Sequence, residues 1–186
     1  MAELVRPAPT AAVTERARGI RLLACDVDGV LTDGRLQFYG LKQGVVEGKS
    51  FSILDGFGVK LLQATGVSVA LITGRRSDIV ARRAREMGVR HVAQGVDDKK
   101  AAWSALLLEL ALQPGQSAFI GDDWPDLAVM RACGLGIAVP NAPEVIRRHA
   151  HYVTHAAGGA GTVREACELI MAAQGTLETQ LAGWLQ

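Results

Sequence analysis

The chain has 186 residues, of which 49% are hydrophobic and only 5% aromatic, with 20 lysines and arginines against 19 aspartates and glutamates. This length favours a single domain with a sizeable core built from small and branched aliphatic side chains. The near-neutral charge gives no indication of a nucleic-acid partner, and no apolar run reaches the roughly 18 residues that a membrane-spanning helix needs.

Apolar runs that end in polar or glycine residues divide most of the chain into alternating strands and helices. They predict strands at 20–25, 67–72, 89–94, 117–120, 136–139 and 152–153. Periodicity and capping residues predict helices at 52–66, 78–87, 97–112, in a short stretch up to 133, at 143–149 and at 162–174. This alternation predicts an α/β, Rossmann-like three-layer fold with a mostly parallel central sheet.

Three further segments lie outside that alternation. Residues 1–18 are predicted to form a flexible N-terminal arm with a short helix from Thr14, and residues 176–186 a C-terminal tail, around a domain at 19–175. Two short extended runs joined by a glycine-bounded loop predict a β-hairpin at 34–51. It begins close to the end of the first strand, so it can flank that strand end as a flap, or form an ordinary edge hairpin.

Two carboxylates one residue apart follow the first strand, in Asp26-Val27-Asp28-Gly29. In open α/β sheets ligands bind beyond the carboxyl ends of the strands. Carboxylates this close repel each other unless a cation or a shared proton separates them. The pair therefore indicates a metal site or a proton-sharing site, while a solvated turn or a helix cap is the structural alternative.

Other predicted strands end in polar signatures as well. Thr73-Gly74-Arg75 follows one strand, and Gly121-Asp122-Asp123 with Asp126 follows another, while Lys99 opens a helix. Alone, each signature also fits a strand-to-helix turn, a helix cap or a solvated lysine. Because the carboxyl ends of parallel strands share one edge of the sheet, together they predict a phosphoryl-transfer site there.

The chemistry of the side chains assigns a role to each group. Asp26 would be the nucleophile and Asp28 the acid and base. Thr73 and Lys99 would bind the phosphoryl oxygens. Asp26, Asp122 and the backbone carbonyl of Asp28 would hold Mg²⁺, which prefers oxygen ligands. Two further carboxylates, Asp123 and Asp126, would hold these groups in position without contacting the substrate themselves.

These residues, in this order, resemble the four motifs of the haloacid dehalogenase superfamily. The resemblance implies the aspartyl-phosphate mechanism and Mg²⁺, and supports the roles given above. Further segments, including 55–59, 94–99 and 158–165, resemble a capless branch, the 3-deoxy-D-manno-octulosonate 8-phosphate phosphatases. Only the hairpin at 34–51 is inserted, which leaves no room for a cap domain.

The same resemblance implies a sugar acid phosphate as substrate, in lipopolysaccharide precursor biosynthesis. Arginine suits such a substrate because its guanidinium binds carboxylates in a bidentate fork. Two departures from the family pattern, Leu54 in place of a common arginine and the loop at 139–142, leave a related substrate open. The positions that the resemblance assigns to substrate binding are Asp28, Ser52, Ile53, Leu54, Asp55, Gly56, Lys60, Thr73, Gly74, Arg75, Arg83 and Lys99.

The resemblance also implies a homotetramer assembled through the hairpins. Two alternatives stay open: a phosphatase for a nine-carbon ulosonate 9-phosphate, and a non-catalytic tetramerisation module. The complete motif set favours catalysis, because a purely structural descendant should have lost a nucleophile or a metal ligand. Three widely spaced cysteines, Cys25, Cys133 and Cys167, favour reduced thiols and a cytoplasmic location.

Overall fold

The computed structural model describes residues 8–185, which form a parallel sheet covered by helices on both faces. The strands of this sheet are β1 (Leu22–Cys25), β4 (Ser68–Thr73), β5 (His91–Gln94), β6 (Ser117–Gly121), β7 (Leu135–Ala138) and β8 (Tyr152–Val153). The helices are α1 (Ala11–Arg18), α2 (Ile53–Ala64), α3 (Asp78–Met87), α4 (Lys99–Glu109), α5 (Leu127–Met130), α6 (Glu144–His149), α7 (Thr162–Ala173) and α8 (Leu177–Ala182). The predicted α/β, Rossmann-like class is confirmed.

The order of the strands across the sheet is β5-β4-β1-β6-β7-β8, and every neighbouring pair is parallel. The chain builds outward from β1 through β4 to β5, then returns to the other side of β1 and continues from β6 to β8. The direction of winding therefore reverses between β1 and β6. Such a reversal opens a crevice at the carboxyl ends of the strands, where ligands of this fold class bind.

The core lies on both faces of the central strands, whose side chains are almost entirely buried. Helices α2 and α7 pack together on one face, and α4 and α5 on the other. Helix α7 presents an uninterrupted apolar face that includes Val163, Ala166 and Ile170, all fully buried. The three cysteines are unpaired and buried, as the sequence predicted.

The predicted hairpin is present as an antiparallel pair, β2 (Gln37–Leu41) and β3 (Gly44–Gly48), separate from the main sheet. At the N-terminus the helix begins at Ala11, three residues before the predicted start, because the Thr10 side chain caps it by accepting from the N–H of Val13. Val13 and Ala17 are buried against the core, which corrects the expected flexible arm for residues 11–18. Residues 1–7 of the predicted arm lie outside the described residues.

Candidate active site

The predicted catalytic edge of the sheet forms where β1 and β6 end side by side. The two strands are in register, with Cys25 opposite Ile120, and the N–H of Asp26 donates to the carbonyl of Ile120 over 2.9 Å. Asp26 is therefore level with Gly121, and Asp122 follows one residue further along the adjacent strand end. The site thus lies at the point where the direction of winding reverses, as expected for this fold class.

A buried ion network anchors these carboxylates. Lys99, the first residue of α4, places its Nζ 2.7 Å from Oδ1 of Asp126 and 2.9 Å from Oδ1 of Asp26. Asp126 is fully buried, and its Oδ2 accepts from the N–H groups of Asp122 and Asp123 at 3.1 and 3.2 Å. Lysine and aspartate are rarely buried unless they are paired, so this network fixes the positions of its members.

The same carboxylates can hold a metal ion. One oxygen each of Asp26, Asp122 and Asp126 lies within 4.8 Å of the others. Both oxygens of Asp126 already accept hydrogen bonds, which leaves Asp26 and Asp122 as the available ligands. Oδ1 of Asp26 is buried without a hydrogen bond, since its 2.9 Å contact with Lys99 is an ion pair lacking hydrogen-bond geometry. These residues fit a magnesium ion, which takes carboxylate oxygens at one or two positions.

A glycine makes room for the second of these ligands. Gly29 has a φ of +91°, and a Cβ at this position would lie 2.0 Å from Oδ2 of Asp122. Any other residue would be strained by the backbone angle and would push the Asp122 carboxylate away. The Asp-x-Asp-Gly signature therefore needs its glycine, because the carboxylate of Asp122, which follows β6, occupies the space that a side chain would fill.

The crowding of negative charge shifts the pKa values of the site. Burial and the neighbouring charge of Asp126 raise the pKa of Asp26 to about 6, although Lys99 opposes the shift. Burial and the charges of Asp26 and Asp126 likewise raise the pKa of Asp122 to about 7. Burial alone would lower the pKa of Lys99, but these carboxylates raise it, so the lysine stays charged. A divalent cation between Asp26 and Asp122 would relieve the repulsion between them.

A cleft of about 500 Å³ opens above this network. Thr73, at the end of β4, is buried beside it, and the N–H of Arg75 donates to the Thr73 hydroxyl over 3.4 Å. Gly74 and Arg75 also line the cleft. The structure thus brings together the residues for which the sequence predicted catalytic or metal-binding roles: Asp26, Asp28, Thr73, Lys99, Asp122, Asp123 and Asp126.

Comparisons with known proteins place this site in a family. A family model for haloacid dehalogenase-like hydrolases matches residues 77–163. The 3-deoxy-D-manno-octulosonate 8-phosphate phosphatase KdsC of Yersinia pestis is 47% identical over 166 residues, which cover 89% of this chain and 87% of that protein. The corresponding protein of Escherichia coli K12 is 41% identical over 169 residues, or 91% of this chain and 88% of its own length. The chain belongs to the haloacid dehalogenase-like hydrolases.

Solved structures agree with this assignment. A probable yrbI family phosphatase from Pseudomonas syringae pv. phaseolica superimposes with a TM-score of 0.91 at 48% identity, covering 95% of this chain and 99% of that one. The 3-deoxy-D-manno-octulosonate 8-phosphate phosphatase of Moraxella catarrhalis, in complex with magnesium, phosphate and KDO, has a TM-score of 0.89 at 42% identity, with 92% and 97% covered. The resemblance drawn from the sequence motifs is therefore confirmed. Within residues 8–185 of this hydrolase, no helix is long and apolar enough to cross a membrane.

Two charged residues of the hydrolase site were missed by the sequence analysis. Lys49, just after β3, contacts the carboxylate of Asp28 and lies 3.2 Å from Oε1 of Glu47. Glu47 in turn lies 3.1 Å from Nη2 of Arg75, whose Nε is 3.8 Å from Oδ2 of Asp28. The signal available in the sequence was the hairpin's position beside the acidic pair, which made its charged residues candidates.

The predicted substrate-binding segment at the start of α2 makes contacts within the fold. Arg83 of α3 donates from Nη2 to the carbonyl of Ser52 over 2.9 Å and lies over the ring of Phe51. A Cβ on Gly56 would meet the same guanidinium at 2.2 Å. Asp55 is buried and accepts from the N–H of Arg164 at 2.8 Å, at the first turn of α7. These residues hold α2 against α3 and α7.

Other residues of that set project from the surface. Ile53 is 84% exposed and Leu54 61% exposed, and Lys60 is exposed further along α2. In the single chain none of these three lines the catalytic cleft, whereas Arg75 does. A role for them in binding substrate stays a prediction.

Proposed function

We propose that this hydrolase is a Mg²⁺-dependent phosphatase that converts 3-deoxy-D-manno-octulosonate 8-phosphate to 3-deoxy-D-manno-octulosonate and phosphate. The observation that carries the proposal is the convergence of Asp26, Lys99 and Asp122 at one strand edge, with Thr73 beside them. The relatives named for this reaction share 41–47% of their residues with the chain over about nine tenths of its length. This reaction belongs to the formation of a lipopolysaccharide precursor.

The first half of the proposed reaction transfers the phosphoryl group to the protein. An oxygen of Asp26 attacks phosphorus, and the bond between phosphorus and the sugar oxygen breaks. Asp28 gives its proton to the departing alkoxide. Lys99 and the hydroxyl of Thr73 bind the phosphoryl oxygens, on which negative charge is concentrated. A magnesium ion held by Asp26 and Asp122 would neutralise part of that charge and orient the phosphoryl group.

The second half releases phosphate. Asp28, now ionised, takes a proton from water, whose oxygen attacks the phosphorus of the aspartyl-phosphate. The bond between phosphorus and Asp26 breaks, which restores the free carboxylate. Arg75, half-exposed at the mouth of the cleft, is the group that we assign to the carboxylate of the sugar acid.

We also infer that the protein is a cytoplasmic homotetramer assembled through its hairpins. Six apolar side chains on or next to β2 and β3 are between 49% and 71% exposed: Leu36, Phe38, Tyr39, Leu41, Val45 and Val46. Contiguous exposed apolar surface of this kind is typical of protein interfaces. The free, buried cysteines suit a reducing compartment.

Phosphate release from a panel of substrates tests the proposed function. The panel contains 3-deoxy-D-manno-octulosonate 8-phosphate, a nine-carbon ulosonate 9-phosphate and p-nitrophenyl phosphate, each with Mg²⁺ and with a chelator. We expect the highest kcat/KM for the eight-carbon substrate, and no turnover with chelator. A highest value for the nine-carbon substrate would reassign the substrate, and equal rates for both sugar acids and the aryl phosphate would refute the assignment.

The substitution Asp26→Asn tests the nucleophile separately. It keeps the size of the side chain but removes the attacking oxyanion, so we expect turnover to be abolished while the far-ultraviolet circular dichroism spectrum is unchanged. Asp78→Asn, an exposed position in the first turn of α3, is the matched control and should retain wild-type activity. Activity retained in Asp26→Asn would contradict the nucleophile assignment.

A further inference from the structure

The hairpin delivers a buried cation to the active site. The side chain of Lys49 is only 2% exposed, although the apolar side chains of the same hairpin are about half exposed or more. Burying an ammonium group is costly unless it is paired. Both of its partners are carboxylates, those of Asp28 and Glu47, and Asp28 lines the catalytic cleft. The burial of Lys49 is therefore explained by the catalytic site.

Four charges close into a ring at this place. Lys49 contacts Asp28 and Glu47, and Arg75 reaches the same two carboxylates at 3.8 and 3.1 Å. When Asp28 is ionised, as in the second half of the proposed reaction, two cations and two anions make the ring neutral. Because Glu47 and Lys49 belong to the hairpin whereas Asp28 and Arg75 follow β1 and β4, the ring ties the hairpin to the strand ends.

The orientation of Asp28 depends on this ring. Within the described part of the chain, the only hydrogen bond to the Asp28 carboxylate is donated by Lys49. Asp126 differs, because two backbone N–H groups hold its carboxylate. A proton-transferring group must lie within hydrogen-bond reach of its target, so an unheld carboxylate would spend less time in a productive orientation.

We propose that Lys49 is a positioning residue that holds the carboxylate of Asp28 in the orientation needed for proton transfer. The proposal rests on the proposed phosphatase function. It adds that Asp28, the acid and base of that reaction, depends on the hairpin for its orientation. Lys49 acts through Asp28 and takes no part in bond making. Glu47 completes the arrangement by holding Lys49 and Arg75 at a fixed spacing.

A double-mutant cycle on the full-length protein with Mg²⁺ tests this inference. The variants are Lys49→Met, Asp28→Asn and their combination, assayed with p-nitrophenyl phosphate, whose turnover still needs Asp28 to take a proton from water in the second half of the reaction. We expect Lys49→Met to lower kcat by about 10- to 100-fold, with KM within about twofold of the wild-type value. In the Asp28→Asn background the same change should alter kcat by less than about twofold, because residues that act as a unit are non-additive.

Two further variants separate positioning from a loss of structure. Lys49→Arg keeps the cation and should recover part of the lost kcat, whereas Lys42→Met, in the exposed turn of the same hairpin, should match the wild type. Multiplicative effects in the cycle, or a wild-type kcat for Lys49→Met, would overturn the inference. Failure of the proposed function is distinguishable: a protein that is no phosphatase would turn over no phosphate monoester in its unsubstituted form, and a different preferred sugar acid would change the substrate panel without changing the cycle with p-nitrophenyl phosphate.

Discussion

The floor and the rim of the site are built in different ways. The floor, made of Asp26, Thr73, Lys99, Asp122 and Asp126, comes from strand ends, the short helical turn at 124–126 and the first turn of α4, and is largely buried. The rim, made of Glu47, Lys49 and Arg75, comes mainly from an inserted hairpin. The floor is held by backbone register, by N–H groups and by the buried ion network of Lys99, whereas contacts between side chains alone hold the rim.

This difference suits two tasks of the proposed site, namely chemistry at phosphorus and contact with the rest of the substrate. Groups that bind and attack phosphorus must keep fixed distances to one another, and a rigid sheet edge provides them. Groups that meet the rest of the substrate can lie on an insert, whose sequence can change without disturbing the core. Asp28 belongs to both regions, because β1 positions its backbone and the rim positions its carboxylate.

The largest effect is expected from a change in the floor, Asp126→Asn. It leaves Lys99 with one anionic partner and weakens the acceptor for the N–H groups of Asp122 and Asp123. We expect a loss of stability of about 3 kcal/mol and a fall in kcat of at least about 100-fold. Urea denaturation and steady-state kinetics provide the two measurements.

Asp123→Asn is the matched control for that change. Its side chain is exposed and caps only the short turn at 124–126 by accepting from the N–H of Trp124. We expect kcat within about threefold of wild type and a stability loss below about 1 kcal/mol. Similar losses in both variants would show that the floor is less rigid than the buried network implies.

The next effect concerns stability, which we expect to depend on both pH and bound Mg²⁺. Burial and neighbouring carboxylates raise the pKa of Asp26 to about 6 and that of Asp122 to about 7. An acid with a raised pKa in the folded state stabilises the fold below its unfolded pKa of about 4, and that stabilisation is lost as the pH rises through the folded pKa. We therefore expect the metal-free protein to lose stability between about pH 4 and pH 7.

Thermal unfolding at two pH values checks this expectation. Mg²⁺ binds the ionised carboxylates, so it should raise Tm more at pH 8 than at pH 5. Asp122→Asn, which removes one of the two repelling charges, should reduce both the pH dependence and the effect of Mg²⁺. An equal Tm increase at both pH values would mean that the cation binds elsewhere.

The floor could be predicted from the sequence because its residues follow recognisable strands, and the parallel sheet brings the ends of those strands together. Apolar strands end abruptly in Asp26, Thr73 and Asp122, and a parallel sheet brings such ends to one edge whatever the remaining sequence does. The motif order then identified the superfamily. The structure places Asp126 against Lys99, and its two backbone donors could not be foreseen from spacing alone.

The rim could not be predicted in the same way. Pairing of Lys49 with Asp28 depends on the angle at which the hairpin leaves the sheet, and no local pattern encodes that angle. Most lysines are solvated, so a lysine in a polar loop gives no signal of burial. Resemblance placed Asp55 and Arg83 in substrate binding, but their contacts with Arg164 and Ser52 appear only when α2, α3 and α7 pack together.

A third effect tests whether the hairpin that carries Glu47 and Lys49 of the rim is also an assembly surface. The double substitution Leu41→Glu/Val45→Glu places charge on both faces of the hairpin, where the apolar side chains are 56% and 71% exposed. If the hairpins join the subunits, the mass in sedimentation should fall toward the 19.7 kDa of one chain, with the fold unchanged. Lys42→Glu in the turn is the control, and an unchanged mass in the double variant would exclude a hairpin interface.

The smallest effect is expected at Asp55, an acidic residue of the core that should contribute to stability but not to substrate binding. Burial raises the pKa of Asp55, although backbone N–H groups at the start of α7, from Arg164, Gly161 and Val163, oppose the shift. Asp55→Ala removes the acceptor for these donors and should cost about 1 to 2 kcal/mol of stability. Because Asp55 is buried beneath α7 and does not line the cleft, KM for the sugar acid phosphate should stay within about twofold.

Asp55→Asn completes that comparison, because the amide oxygen still accepts while the buried charge is gone. An acid with a raised folded pKa loses its stabilisation as the pH rises, so the deficit of Asp55→Asn relative to wild type should shrink from pH 5 to pH 8. A KM increase of tenfold or more in Asp55→Asn, without a change in stability, would instead assign Asp55 to substrate binding. Carboxylates that act on the substrate would then extend beyond the catalytic cleft into α2, and Asp55 would no longer be a purely structural residue of the core.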